Sequence, residues 1–239
     1  MNKFAVFDID GTLIRWQLYH AVADALARQG QIDPASYKAI REARMVWKRR
    51  LGGSFRDYEL QVIKTYEAVL KTLTFEQFEA ATEAVFEEYK DQVYTYTREL
   101  IEKLKTENYT LLAISGSQTE IVAKIADYYG FKDYVGTVYE RGDKSFTGAK
   151  TIGSRDKDQA LKRMVEKHSL DFSGSLGIGD GHSDVSMLEL VDTPIAFNPE
   201  KALFDHASQQ GWKVVIERKN MVYELEKRDG NYQLVKTDG

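Results

Sequence analysis

From Tyr109 to Glu217, short apolar runs alternate with amphipathic helical stretches, and that alternation admits few folds. The apolar runs are "YTLLAIS" (109–115), 134–138, "SLGIG" (175–179), 194–197 and "WKVVIE" (212–217). Helical spacing covers 97–106, 118–129, 155–168, 183–190 and 200–209. Strands separated by helices argue a parallel sheet covered on both faces. "KFAVF" (3–7) reads as one more short buried strand.

The interval from Thr12 to Tyr109 is far longer than the dozen or so residues that a crossover between parallel strands needs. Four stretches in it carry apolar residues at 3.6-residue spacing. The first has Trp16, Tyr19, Val22 and Leu26, and the second has Tyr37, Ile40, Ala43, Trp47 and Leu51 behind an Asp33-Pro34 start. After Gly52-Gly53 the third has Phe55, Tyr58, Val62, Tyr66, Val69 and Leu73, and the fourth has Phe78, Val85, Phe86 and Tyr89 behind a Thr74–Gln77 capping box. An all-helical module of about 80 residues inserted after the first strand accounts for them. The last stretch, "MVYELEKRDGNYQLVKTDG", predicts a hairpin turning at Arg228-Asp229-Gly230-Asn231. The expected fold is α/β: a Rossmann-like parallel sheet with helices on both faces, an inserted helical cap and a C-terminal β-hairpin. The expected division is a core of 1–14 and 96–217, a cap of 15–95 and a hairpin extension of 218–239.

Composition narrows the chemistry. The chain has no cysteine, which excludes disulfides, thiolate zinc sites and cysteine nucleophiles. A net charge of −4 argues against a nucleic-acid footprint. No basic-then-apolar leader and no long uninterrupted apolar run occur, so a cytoplasmic location with no membrane span is expected.

In an open parallel sheet, ligands bind at the carboxyl ends of the strands. Three strand ends here are polar: Asp8-Ile9-Asp10-Gly11-Thr12, Ser115-Gly116-Ser117 and Gly179-Asp180-Gly181-His182-Ser183-Asp184. Lys157 falls between the last two, in the first turn of a helix expected to open at Ser154. Clustered carboxylates repel unless a cation joins them, and an all-oxygen set suits Mg2+ better than zinc. Lys157 and the hydroxyl and amides of Ser115–Ser117 suit an anion, and Ser117 to Glu120 reads as a capping box at a helix N-terminus. A cation, an anion pocket and a spare carboxylate together point to phosphoryl transfer.

These residues carry a resemblance. "DIDGT", Ser115, Lys157 and "GDGHSD" resemble, in order, the four motifs of the haloacid dehalogenase-like superfamily. "SGSQTEIVAKIADYYGF", "GTVYE", "FTG" and "AFNPEKAL" are similar to its phosphoserine-phosphatase-like subfamily IB. The resemblance covers 1–14 and 96–210, and the insert matches in position as a cap. It implies a Mg2+-dependent phosphomonoester hydrolase. Asp8 would be the nucleophile that forms an aspartyl-phosphate, and Asp10 the general acid and base. Asp8, the Asp10 carbonyl, Asp180 and Asp184 would hold the metal. Ser115, Gly116 and Lys157 would bind the transferring phosphoryl group of a small phosphorylated substrate. The glutamate that phosphoserine phosphatases carry shortly after the first motif is absent from Leu13-Ile14-Arg15-Trp16-Gln17, which argues against phosphoserine.

Other readings stay open at this point. A phosphomutase or phosphotransferase would keep the same core, and a non-catalytic phosphate-binding or receiver-like module would keep much of the motif set. His182 reads as rim rather than ligand. "GIGDG" and "GDKS" fail the spacing of nucleotide loops. Arg41, Arg44 and Lys48 form a basic stripe that faces either solvent or a substrate's second anionic group, with Trp16 and Tyr19 as candidates for an organic moiety.

Overall fold

The structure, a computed structural model, describes residues 2–50, 52 and 55–238. The chain runs β1 (Phe4–Phe7), α1 (Leu18–Arg28), α2 (Pro34–Lys48), α3 (Phe55–Leu70), α4 (Phe75–Tyr89), α5 (Thr95–Thr106), β2 (Thr110–Gln118) and α6 (Thr119–Tyr129). It continues through β3 (Asp133–Arg141), β4 (Phe146–Ile152), α7 (Lys157–Lys167), β5 (Leu176–Gly179), a 3-10 turn (His182–Asp184) and α8 (Val185–Leu188). It ends with β6 (Thr193–Phe197), α9 (Lys201–Gln210), β7 (Lys213–Arg218), β8 (Met221–Arg228) and β9 (Asn231–Asp238). Leu51 and Gly53, which the sequence reading places at the end of the second helix and just after it, lie outside the described residues.

One sheet has the order β4-β3-β2-β1-β5-β6-β7-β8-β9. Pairing is parallel from β3 through β7. The chain steps outward from β1 through β2 to β3 and later resumes at β5 on the other side of β1. The strand order therefore reverses at β1, and the carboxyl end of β1 is the switch point where such sheets bind ligands. All four residues of β1 are buried, as expected for a strand covered on both faces. Phe4 and Val6 share a core with Leu112, Ile114, Leu161, Met164, Leu188 and Val214. β8 and β9 add antiparallel strands to the sheet edge. Their turn is Asp229-Gly230, with φ of 51° and 82°, the paired positive values of a tight hairpin turn.

The chain divides into two compact units: Met1–Gln17, Tyr89–Thr137 and Ile152–Gly239 form one, and Leu18–Glu88 with Val138–Thr151 form the other. The second unit contains the four helices of the insert. Two of their starts follow local sequence rules. Asp33 Oδ1 accepts from Ala35 N (3.0 Å) and Ser36 N (2.9 Å), with Pro34 at the first helical position. Thr74 and Gln77 exchange reciprocal bonds of 2.9 and 3.3 Å. Inside the unit Tyr58, Tyr66 and Phe78 are buried. Tyr139 and Phe146, from the β3 and β4 stretches, set their rings against Tyr66 and Phe78, with centroids 5.7 and 4.9 Å apart. No described helix is long and apolar enough to cross a membrane.

Candidate active site

The site begins where β1 runs out. Asp8 N still donates to Ile178 O of β5 at 3.0 Å, and then the chain leaves the ladder. Leu13 N and Ile14 N both return to Ile9 O, and Gly11 N donates to Ile14 O, which closes a tight loop. Gly11 holds φ at 87°, where a side chain is strained. A Cβ there would also stand 2.2 Å from Asp180 Oδ2, so the missing side chain is the space that Asp180 occupies.

Lys157 is the first residue of α7, and the helix is preceded by Asp156 rather than opening at Ser154 as expected. Its buried Nζ donates to Asp8 Oδ1 (2.7 Å), Asp184 Oδ1 (2.5 Å) and Ile114 O (3.1 Å). That accounts for all three ammonium donors. Asp184 Oδ2 accepts from Asp180 N (3.0 Å) and Gly181 N (2.9 Å), folding the β5 loop back on itself. Thr12 Oγ1 donates to Asp180 Oδ1 at 3.4 Å. Carboxylate oxygens of Asp8, Asp180 and Asp184 lie within 4.8 Å of one another. Burial pushes the Asp8 carboxyl up to about 7; Lys157 pulls the other way, and Asp184 and Asp10 add to the rise. Burial, then Asp8 and Asp184, hold Asp180 well above the usual carboxylate range. Burial opposes the Lys157 ammonium, but Asp184 and Asp8 outweigh it and raise its pKa. One ammonium among three carboxylates leaves an excess of negative charge in a pocket of oxygen donors, which fits a hard dication.

The second side of the site comes from β2. Its register against β3 shifts between Ile114 and Gln118, and Thr137 Oγ1 pins the Gly116 carbonyl at 2.8 Å. Gly116 is exposed between two buried serines. Ser115 Oγ donates to Asp10 Oδ2 at 2.5 Å and Ser117 Oγ to Asp10 Oδ1 at 3.0 Å. α6 opens one residue later than the expected Ser117–Glu120 capping box implies: Gln118 precedes it, and the Gln118 side chain makes no cap bond. Ser117 lies on the strand, two residues from Ser115, so both side chains leave the same face of the pleat. That spacing was the available signal for a second hydroxyl at the site.

A model of the haloacid dehalogenase-like hydrolase family matches residues 5–189. The chain belongs to that family. A histidinol-phosphatase of Neisseria meningitidis is 26% identical over 230 residues, 90% of this chain and 99% of its own. A phosphoserine phosphatase of Mycobacterium tuberculosis is 29% identical over 139 residues, 56% of this chain, and the match spans 45% of that longer protein. A solved structure described as a phospho-aspartyl intermediate analogue of phosphoserine phosphatase superposes with a TM-score of 0.63 at 19% identity, covering 91% of this chain and 94% of that one. The α/β fold expected from the strand–helix alternation is thus the fold of this hydrolase family.

Of the residues singled out in the sequence, Asp8, Asp10, Ser115, Lys157, Asp180 and Asp184 converge on one site, with Gly116 next to Ser115 on β2. His182 is exposed, and its amide donates to Glu200 at 2.6 Å. Of the residues suggested for a second anionic group, Arg41, Arg44 and Lys48 lie on α2, and of those suggested for an organic moiety, Tyr19 lies on α1 and Trp16 just before it. Arg44 is not on an outward basic stripe. Its guanidinium donates to Asp24 Oδ1 and Tyr58 Oη, both at 2.8 Å, and it braces α1, α2 and α3 from within the helical unit. Spacing along α2 cannot reveal a partner on α1. Tyr19 packs against Tyr66 with centroids 4.7 Å apart. Arg41 and Lys48 are exposed on α2, and Trp16 is half-buried just before α1.

Proposed function

We propose that the protein is a Mg2+-dependent phosphomonoester hydrolase that acts on a small phosphorylated metabolite through an aspartyl-phosphate. What supports this most is Asp8, held by Lys157 and flanked by Asp180 and Asp184, with a second aspartate two residues further on. The donor set is all oxygen and carries surplus negative charge, so it suits Mg2+. Asp8, Asp180 and Asp184, with the Asp10 carbonyl, would hold the ion, which when bound neutralises charge on the phosphoryl oxygens.

In this reading an Asp8 oxygen attacks phosphorus while the bond to the leaving oxygen breaks. Asp10 gives its proton to that oxygen. Asp10 then takes a proton from water, the water oxygen attacks the phosphorus, and inorganic phosphate departs with Asp8 restored. Lys157, which already fixes one Asp8 oxygen, offsets the charge of the phosphoryl group joined there, and Ser115 and the Gly116 amide bind its other oxygens. The test is phosphate release from a panel of phosphorylated metabolites that includes histidinol phosphate and phosphoserine. Asp8→Asn and Asp10→Asn should each lose orders of magnitude, and EDTA should stop turnover until Mg2+ is restored. Near wild-type turnover by Asp8→Asn, or activity that survives exhaustive chelation, would overturn the proposal.

A further inference from the structure

We propose that Ser117 is a positioning residue for Asp10, holding the proton-transferring carboxyl in place while Ser115 turns to the phosphoryl group. The inference rests on the acid and base role proposed above for Asp10. Its own basis is the direction of the hydrogen bonds. Ser117 N donates to Ser115 Oγ at 2.9 Å, so that oxygen is already an acceptor. Its single proton is therefore the one that reaches Asp10 Oδ2. Ser117 Oγ supplies a separate proton to Asp10 Oδ1. Each oxygen of the carboxylate has its own hydroxyl, and the carboxylate cannot rotate about its Cβ–Cγ bond without breaking one of them.

The two serines differ in what else is asked of them. Ser115 would have to give up Asp10 when it binds a phosphoryl oxygen. Ser117 keeps its bond, and its strand is anchored beside it by Thr137 on the Gly116 carbonyl. Both Ser117 and Asp10 are buried, at 2% and 8% exposure, so water is a poor substitute for the hydroxyl. Proton transfer needs donor and acceptor within about 3 Å, and a displacement of about 1 Å costs heavily. Loss of the Ser117 hydroxyl should therefore impair leaving-group protonation in particular.

The experiment compares kcat/KM for p-nitrophenyl phosphate and phenyl phosphate. The two are close in shape but differ in how much the leaving oxygen needs a proton. The ratio of the two constants is measured for wild type, Asp10→Asn, Ser117→Ala and Ser117→Cys, with folding checked by circular dichroism. Asp10→Asn should raise the ratio in favour of the nitrophenyl ester. Ser117→Ala and Ser117→Cys should raise it in the same direction, by about tenfold for the loss of a hydrogen bond to a charged group. If both serine variants lower the two constants equally, or leave them unchanged, Ser117 does not position the acid. An unchanged ratio in Asp10→Asn would instead remove the acid role of Asp10, and this inference would fall with it.

Discussion

At Lys157 three hydrogen bonds and two ion pairs meet on a side chain that is 2% exposed. Such a residue serves the fold and the chemistry together. Removing it leaves Asp8 and Asp184 as uncompensated buried carboxylates, and breaking a buried pair from one side costs about 3–5 kcal/mol. Ser115→Ala removes a neutral donor and leaves the ammonium in place. Lys157→Ala should therefore lower the thermal midpoint clearly and cut kcat by about tenfold more than Ser115→Ala, since charge-assisted contacts are about twice as strong as neutral ones. Equal and mild losses in the two variants would show that another group carries the phosphoryl charge. Lys157 was legible in the sequence only through its place among the motifs. The bond from Ser117 to Asp10 was legible only as a spacing of two from Ser115, because a serine just before a helix also reads as a cap.

At the scale of elements, the parts that obey local rules were the readable ones. Asp33 before Pro34, and Thr74 three residues before Gln77, act within their own turn of helix, and both do what their spacing implies. β4 left no such trace. Its burial runs buried, exposed, intermediate, exposed, exposed, exposed, intermediate, so it lacks the alternation that marks a half-buried strand. α5 has a start that no local signal predicts. Tyr94 precedes it without a side-chain cap, and the acceptors come from Glu217 on β7, whose two oxygens take Thr95 N (3.1 Å) and Tyr96 N (2.9 Å). An anionic side chain also suits a helix N-terminus. Glu217→Ala should therefore cost about 1–2 kcal/mol of stability, as loss of a helix cap does, with little effect on KM. An unchanged denaturant midpoint would show that water replaces the carboxylate at this helix start.

At the scale of the whole molecule, stability should depend on acid through a residue of the helical unit, which holds none of the site aspartates. His20 is buried in the helical unit, with its ring 4.7 Å from that of Tyr58. Burial, then the Arg44 charge, push its pKa from 6.5 down to about 3. The unfolded chain binds this proton more readily than the folded one. The contribution is present above about pH 6.5 and is lost as pH falls toward about 3. Between about pH 7.5 and about pH 5 it amounts to about 2 kcal/mol. His20→Leu should lose correspondingly less stability than wild type across that interval in denaturant unfolding, and comparing each protein with itself cancels any packing cost. Parallel losses in the two proteins would mean that the histidine titrates freely when folded.

The interleaving of the two units has a consequence in time. The unit that begins at Leu18 is not complete until Thr151 is made, and the other runs on to the C-terminus. Asp8 meets Lys157 across 149 residues of chain, and Asp10 meets Ser115 across 105. At ribosomal speeds of about 5–20 residues per second, Asp8 waits roughly seven to thirty seconds for its lysine. Through that wait the wholly apolar β1 has neither of its neighbouring strands for much of the time. During synthesis the apolar β1 therefore stays without its sheet partners until β2 and β5 have been made.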